Sequence, residues 1–475
     1  MLRFQTHSVL AEPTAVSYSA SSLTDSPLLS CALECKHDLT GIATALPERY
    51  PFLLDSAAAG PLGEYSLLLR SSGEQLCLHA NDGITGPEGS GGFLDRLDQW
   101  YQREKQTPRD PDTWPFAGGW FLYLGYELAA EIEPVVKFPP AGDGFPVAFA
   151  SRCPALIYSK PDQPGILHLV AENENLLAGM REELEGLAPP VSQPAPTLAT
   201  LSDDPPQLFK TAVERIHEYI LDGDVFQVNL SRAWQGEFAD EPDAAALYRS
   251  LRKSNPAPFA GMVHWNNHVL MSSSPERLVS SRLGEVQSRP IAGTRPRGRD
   301  PKADLALSQE LLTHPKERAE HIMLIDLERN DLGRVCETGT VTVDELMVVE
   351  SYEHVHHIVS NVRGHLRRDV SPVDVIRAVF PGGTITGCPK VRCMEIIAEL
   401  EQKGRGFYTG SFGYLGLDGS MDLNILIRSM LVHGKQVSFR TGAGIVSDSE
   451  PEKELVETED KARGLIRALG PIPGQ

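Results

Sequence analysis

Between Pro189 and Pro206 the chain opens Pro-Pro-Val-Ser-Gln-Pro-Ala-Pro-Thr and stays rich in Pro, Ser, Thr and Ala. Proline lacks an N–H, and small polar residues bury little, so this stretch reads as a linker. It divides the 475 residues into a region at 1–190, a linker at 191–206 and a region at 207–475. Length alone would allow two or three domains. No internal repeat of solenoid period is apparent. No apolar run reaches membrane-spanning length, and Met1-Leu2-Arg3-Phe4-Gln5 lacks the apolar core of a signal peptide.

Charge narrows the choice of partner. Lys plus Arg number 44 against 64 Asp plus Glu, a net charge of −20. A surface of that sign excludes nucleic acid and anionic membranes as expected partners. A small anionic substrate would need clustered Arg and Lys, or a metal ion, to be held. The 7 cysteines show neither a disulfide framework nor a paired CxxC pattern, so the expected location is a reducing cytoplasm.

Strand and helix signals alternate along the whole chain. Phe52 to Ser56 with Tyr65 to Leu69 reads as a strand pair, and Ala155 to Tyr158 with Ile166 to Val170 as a hairpin. Asp95 to Gln106 reads as a helix, and Phe116 to Glu127 as Gly- and aromatic-rich core strand. Phe209, Val213, Ile216 and Ile220 share one face of a helix over Pro206 to Asp222. Near the end, Tyr408 to Leu417, Met421 to Val432 and Gln436 to Thr441 form a meander. The final helix is expected to open at Ser449-Glu450-Pro451, with Ser449 capping. Composition and pattern give an α+β chain and no more.

Arg289-Pro290-Ile291-Ala292-Gly293-Thr294-Arg295-Pro296-Arg297-Gly298 combines glycines, prolines and arginines, the make-up of a loop that carries an anion on its backbone N–H groups. Four further stretches follow in order: Lys316 to His321, His356 to Ser360, Pro381 to Gly387, and Gly442 to Val446. Together the five resemble the motifs of the chorismate-utilising enzymes, the group that holds anthranilate synthase component I and aminodeoxychorismate synthase component I. The resemblance is close from about Leu208 onwards and looser before it. It implies a large sandwich of antiparallel β-sheets with helices outside, both regions folding together, and an active site in the second region. Leu53-Leu54-Asp55-Ser56 resembles the element that helps hold feedback tryptophan in anthranilate synthases; such regulation is not expected here.

Two glutamate pairs, Glu317 with Glu320 and Glu454 with Glu457, have the i, i+3 spacing that puts each pair on one helical face, with Lys461 four residues beyond Glu457. Taken alone, this describes a solvated face. Carboxylates from two helices also suit Mg²⁺, which prefers oxygen ligands and often completes its shell with an anionic substrate. The resemblance implies that Glu320 and Glu457 bind Mg²⁺ directly, with Glu454 and Glu317 acting through water. It likewise places Arg428, Lys461, Tyr408, Gly442, Gly444, Gly293 and Thr294 around chorismate. Thr384 lies in the Gly-rich loop before a helix, which is not a Walker A because Cys388 stands where the lysine would be. His357 matches the histidine near the departing C4 hydroxyl and is the acid–base candidate.

Gln227 stands where the isochorismate and salicylate synthases place a water-activating lysine, so an ammonia-using member is expected. The chain carries no glutaminase motif, so ammonia should come from a separate glutamine amidotransferase subunit or from solution. Four stretches (Phe226 to Ser231, Asn255 to Phe259, Ser274 to Arg277, Pro381 to Gly387) resemble aminodeoxychorismate synthase. Ala292 instead matches anthranilate synthase, because the best-known aminodeoxychorismate synthases carry a nucleophilic lysine there. The expected product is 4-amino-4-deoxychorismate, for 4-aminobenzoate and folate synthesis; the alternative is anthranilate with release of pyruvate.

Overall fold

The computed structural model describes residues 28–57, 65–81, 83–107, 116–189, 191, 196–298, 300–313, 315–351 and 355–471. The Met1 to Gln5 segment lies outside them. Two large antiparallel sheets, of 12 and 11 strands among the described residues, face each other. Each sheet takes strands from both sides of the 191–206 segment. In the first, Phe52–Asp55 pairs with Phe259–Trp265, so that Leu53 lies opposite Met262. In the second, Gly119–Leu124 pairs with Ser411–Gly416, with Phe121 opposite Tyr414. The α+β sandwich is as expected.

Alternation along the strands explains the layering. Successive side chains point to opposite faces of a sheet, so a strand buried on both faces is apolar throughout. Gly119–Leu124 is such a strand, buried at every position. Its Phe121 and Tyr123 enter the core between the sheets, where Phe52 and Phe121 stack with ring centroids 4.1 Å apart. Its Trp120, Leu122 and Leu124 face the opposite way, into the core shared with the helix Phe93–Glu104. On the first sheet, Leu53 joins the outer core that covers helices Ala244–Ser254 and Pro451–Ala468. Helices therefore lie outside both sheets.

The structure departs from the sequence reading at identifiable places. Leu198–Asp203, within the expected linker, is a strand paired with Gln227–Phe238. Its partner's edge satisfies its backbone, which composition cannot show. The expected strand Met421 to Val432 is broken: Met421–Asn424 belongs to the second sheet and Ser429–His433 to the first. Arg428 therefore sits on the crossing between sheets, in a left-handed conformation with φ of 53°, not within a strand. Ser449 does not cap the last helix; Glu450 is the N-cap, and the Ser449 hydroxyl accepts from Val446 N. The expected Arg-rich anion loop is largely a strand, Ile291–Pro296, whose backbone pairs with Val355–His365. Asp55 is engaged by the Tyr248 hydroxyl, Ser66 and Arg252, at 3.0, 2.7 and 2.8 Å.

Candidate active site

Two helices and the ends of several strands meet at one place. The helix Pro315–Gly333 is fixed by His321, fully buried, whose Nε2 lies 2.6 Å from the Ser360 hydroxyl. Its first turns present Glu317 and Glu320. The helix Pro451–Ala468 buries Leu455, Ala462 and Leu465 and presents Glu457 and Lys461, which pair at 2.6 Å. Lys461 Nζ also donates to the Gly442 carbonyl at 2.9 Å. Glu320 accepts from the Gln227 amide at 3.1 Å, and Glu317 from Arg295 at 2.9 Å.

Two glycines make this approach possible. Gly293 has a φ of 66°, and a Cβ there would stand 2.2 Å from a Glu317 carboxylate oxygen. A Cβ at Gly444 would stand 2.5 Å from the Gln227 amide nitrogen and 3.5 Å from Glu320. Any larger residue at either place would push the carboxylates apart. The Tyr408 hydroxyl and the Asn229 amide oxygen pack over Gly442.

The electrostatics are set by burial and by the charges that the fold brings together. Burial, then the neighbouring Glu317, raises the Glu320 pKa, with Glu457 adding to the rise and Gln227 and Lys461 opposing it. Burial lowers the Arg428 pKa, while Tyr408, Glu276 and Glu457 support its charge. Burial pulls His357 down to about 4, with Arg428 helping, so its imidazole is neutral at neutral pH. Burial pushes Glu276 up to about 7 against the pull of Thr384, Arg428 and Lys461. Among the described residues, Gln227 Oε1, Asn229 Oδ1 and Glu276 Oε1 are buried here without a hydrogen-bond partner, while the Thr384 hydroxyl lies close enough to Glu276 to oppose the rise in its pKa. Buried polar groups are nearly always paired in folded proteins, so these oxygens are available to a polar ligand.

The family model for chorismate binding enzymes matches residues 66–467 of this chain. The chain belongs to that family. It is 42% identical over 434 residues to an anthranilate synthase component I-like protein of Synechocystis, covering 90% of this chain and 87% of that one. It is 50% identical over 261 residues to aminodeoxychorismate synthase component 1 of Bacillus subtilis, covering 55% of each. The crystal structure of anthranilate synthase component I from Streptococcus pneumoniae matches with a TM-score of 0.76 at 31% identity, covering 85% of this chain and 92% of that one.

This chorismate binding enzyme brings together most of the residues singled out in its sequence. Glu317, Glu320, Glu457, Lys461, Gly293, Gly442, Gly444, Tyr408, Arg428 and His357 are linked by the contacts and fields above. Thr384 joins them through Glu276, from the turn Gly383–Ile385. Glu454 is buried one turn before Glu457. Thr294 lies opposite His357 in the strand register; its side chain is outside the described residues. The arginines of the Arg289 stretch are held by carboxylates: Arg289 by Glu345 and Glu350, and Arg297 by Asp304.

Glu320, Glu457 and Glu454 are not drawn into a coordination sphere. Among the described residues no group of three or more His, Cys, Asp or Glu converges closely enough for one. The donor set nevertheless fits a hard cation: its donors are carboxylate oxygens, and Glu317 and Glu457 both act on the Glu320 charge. Arg295, Gln227 and Lys461 meet that negative charge from within the chain.

Glu276 was missed as a site residue. Its signal was a lone glutamate in Ser274-Pro275-Glu276-Arg277, between the strand His268–Ser274, which ends in three buried serines, and the strand Arg277–Arg282. Asn229 was equally silent, being one polar residue in an alternating strand.

Proposed function

We propose that this protein is the chorismate-aminating component of aminodeoxychorismate synthase, forming 4-amino-4-deoxychorismate from chorismate and ammonia. The observation that carries the choice within the family is the 50% identity over 261 residues to the B. subtilis protein of that name. Those residues make up about half of the chain, and the identity exceeds the 42% shared with the Synechocystis relative over the longer alignment.

Chorismate is a dianion, and Arg428 and Lys461 supply the positive charge for it, with the Tyr408 hydroxyl and the Gly442 and Gly444 backbone shaping the pocket. Glu320, Glu457 and Glu454, with Glu317, would hold Mg²⁺, which when bound would neutralise a substrate carboxylate. Replacing the C4 hydroxyl by nitrogen releases water, so one proton must reach the departing oxygen. Glu276 can hold a proton at neutral pH and give it up, since its pKa lies near 7. His357 is neutral there, so its imidazole can accept a proton or hydrogen-bond the departing group. Ammonia would come from a glutamine amidotransferase subunit, and the seven free cysteines suit a reducing cytoplasm. Among the described residues no helix is long and apolar enough to cross a membrane.

A second reading, anthranilate synthase component I, is favoured by Ala292 and by the Synechocystis relative, whose match covers 90% of the chain. Mass spectrometry after incubation with chorismate, Mg²⁺ and ammonium separates the two. A 4-amino product with no pyruvate supports the proposal; anthranilate with pyruvate supports the second reading.

A further inference from the structure

Against the Tyr408 ring lies a buried charge cluster to which the proposed chemistry assigns no part. Glu401 ends the helix Lys390–Glu401, and Arg405 follows four residues later. Their side chains are 2% and 1% exposed. Arg405 grips both carboxylate oxygens, Nη2 donating to Oε1 at 2.7 Å and Nε to Oε2 at 3.1 Å. A buried ion pair recovers its desolvation cost only when its remaining hydrogen bonds are met.

Here those remaining bonds reach three separate segments of the site. Arg405 Nη2 donates to the Asn229 carbonyl at 2.7 Å, and Nη1 to the Ile385 carbonyl at 3.1 Å and the Thr409 hydroxyl at 3.3 Å. Asn229 carries one of the unpartnered oxygens, Ile385 follows Thr384, and Thr409 follows Tyr408. The guanidinium also lies over the Tyr408 and Tyr126 rings, at 5.6 and 4.9 Å. Its loop is anchored from the first region, where Glu127 accepts from Arg405 N at 2.6 Å and Gly406 N at 3.0 Å. Arg440 completes the cluster, donating to Glu401 at 2.8 Å and to the Ser231 hydroxyl at 3.1 Å. Two guanidinium groups thus share the Glu401 carboxylate, and one of them, that of Arg405, lies over the Tyr408 ring.

We infer that Arg405, locked by Glu401, is a positioning residue for substrate. It sets Asn229, Thr384 and Tyr408 in mutual register and lends positive charge to the floor of the pocket. The inference rests on the reading of this pocket as the chorismate site. Only arginine offers a rigid planar fork that can serve the carboxylate and three other acceptors together; lysine keeps the charge and loses the fork.

The test compares wild type, Arg405→Lys and Arg440→Lys in the full chain, by steady-state kinetics with chorismate and by thermal unfolding. Arg405→Lys should raise KM for chorismate, or lower kcat/KM, by about tenfold to a hundredfold, the scale of an ångström-sized misplacement. Arg440→Lys, which leaves the Arg405–Glu401 fork in place, should do so several-fold less. A lower melting temperature with unchanged kcat and KM would show a purely structural residue and overturn the inference. If Arg405→Lys does not fold, Glu401→Gln, which removes the charge that locks the fork and keeps an acceptor, takes its place, and unchanged kinetics in that folded variant overturns the inference instead. Absence of chorismate turnover in wild type would sink the reading of the pocket itself, a result distinct from either.

Discussion

The Gln227 amide donates to the Glu320 carboxylate across 3.1 Å, joining the first strand after the 191–206 segment's own strand to the helix Pro315–Gly333. Glutamine at this position offers a neutral donor and no base. It holds Glu320 without neutralising it, leaving a negative charge beside Glu317 and Glu457. A divalent cation would answer that charge.

Glu320→Gln and Glu457→Gln should each lower chorismate turnover by about a hundredfold or more, the scale of losing one charge-stabilising group. The melting temperature of Glu320→Gln should hold or rise, because burial already disfavours its charge. Isothermal titration with Mg²⁺ should show weakened binding in both variants. Full activity of wild type in excess EDTA would refute the metal assignment.

Glu276 predicts a pH profile. Its pKa is raised from the ordinary 4.5 to about 7, so the proton it would donate is present below about pH 7 and lost above. The rate should fall as pH rises through that value, and Glu276→Gln should abolish this limb together with most activity. Stability follows the same sign: a raised folded pKa contributes stability below pH 4.5 that is lost as pH rises through about 7. The melting temperature of Glu276→Gln relative to wild type should therefore climb with pH. A pH-independent difference would contradict the burial of this carboxyl.

Nitrogen supply gives a third prediction. The isolated chain should use ammonium salts and not glutamine, since its sequence carries no glutaminase motif. Adding an amidotransferase subunit should confer use of glutamine. Glutamine-dependent turnover by the pure chain would count against the proposal.

Gly444→Ala tests the closeness of the site. Its new methyl would lie 2.5 Å from the Gln227 amide and 3.5 Å from Glu320, on a strand that cannot retreat because Asn229 pairs with it. Turnover should fall about tenfold or more through misplacement of the Gln227 and Glu320 side chains, with melting temperature little changed. Equal activity in the variant would show that the site has slack.

Sequence alone was enough for the α+β class, for the paired glutamates and for most of the pocket's residues, because these depend on local spacing and ordered motifs. Glu317 with Glu320 and Glu457 with Lys461 lie on helices whose period of 3.6 fixes their faces whatever surrounds them. The strand signals at Phe52 to Ser56 and Ala155 to Tyr158 likewise fall on the strands Phe52–Asp55 and Ala155–Ser159. Only the tertiary structure decided matters of long-range pairing. Leu198–Asp203 is a strand because Gln227–Phe238 offers it an edge, and Arg428 leaves the strand register because the chain there crosses between sheets. The same holds for charge. Glu276, His357 and Arg405 are ordinary side chains in the sequence; burial and the neighbours brought to them from distant segments raise the pKa of the first, lower that of the second and hold the third over the Tyr408 ring.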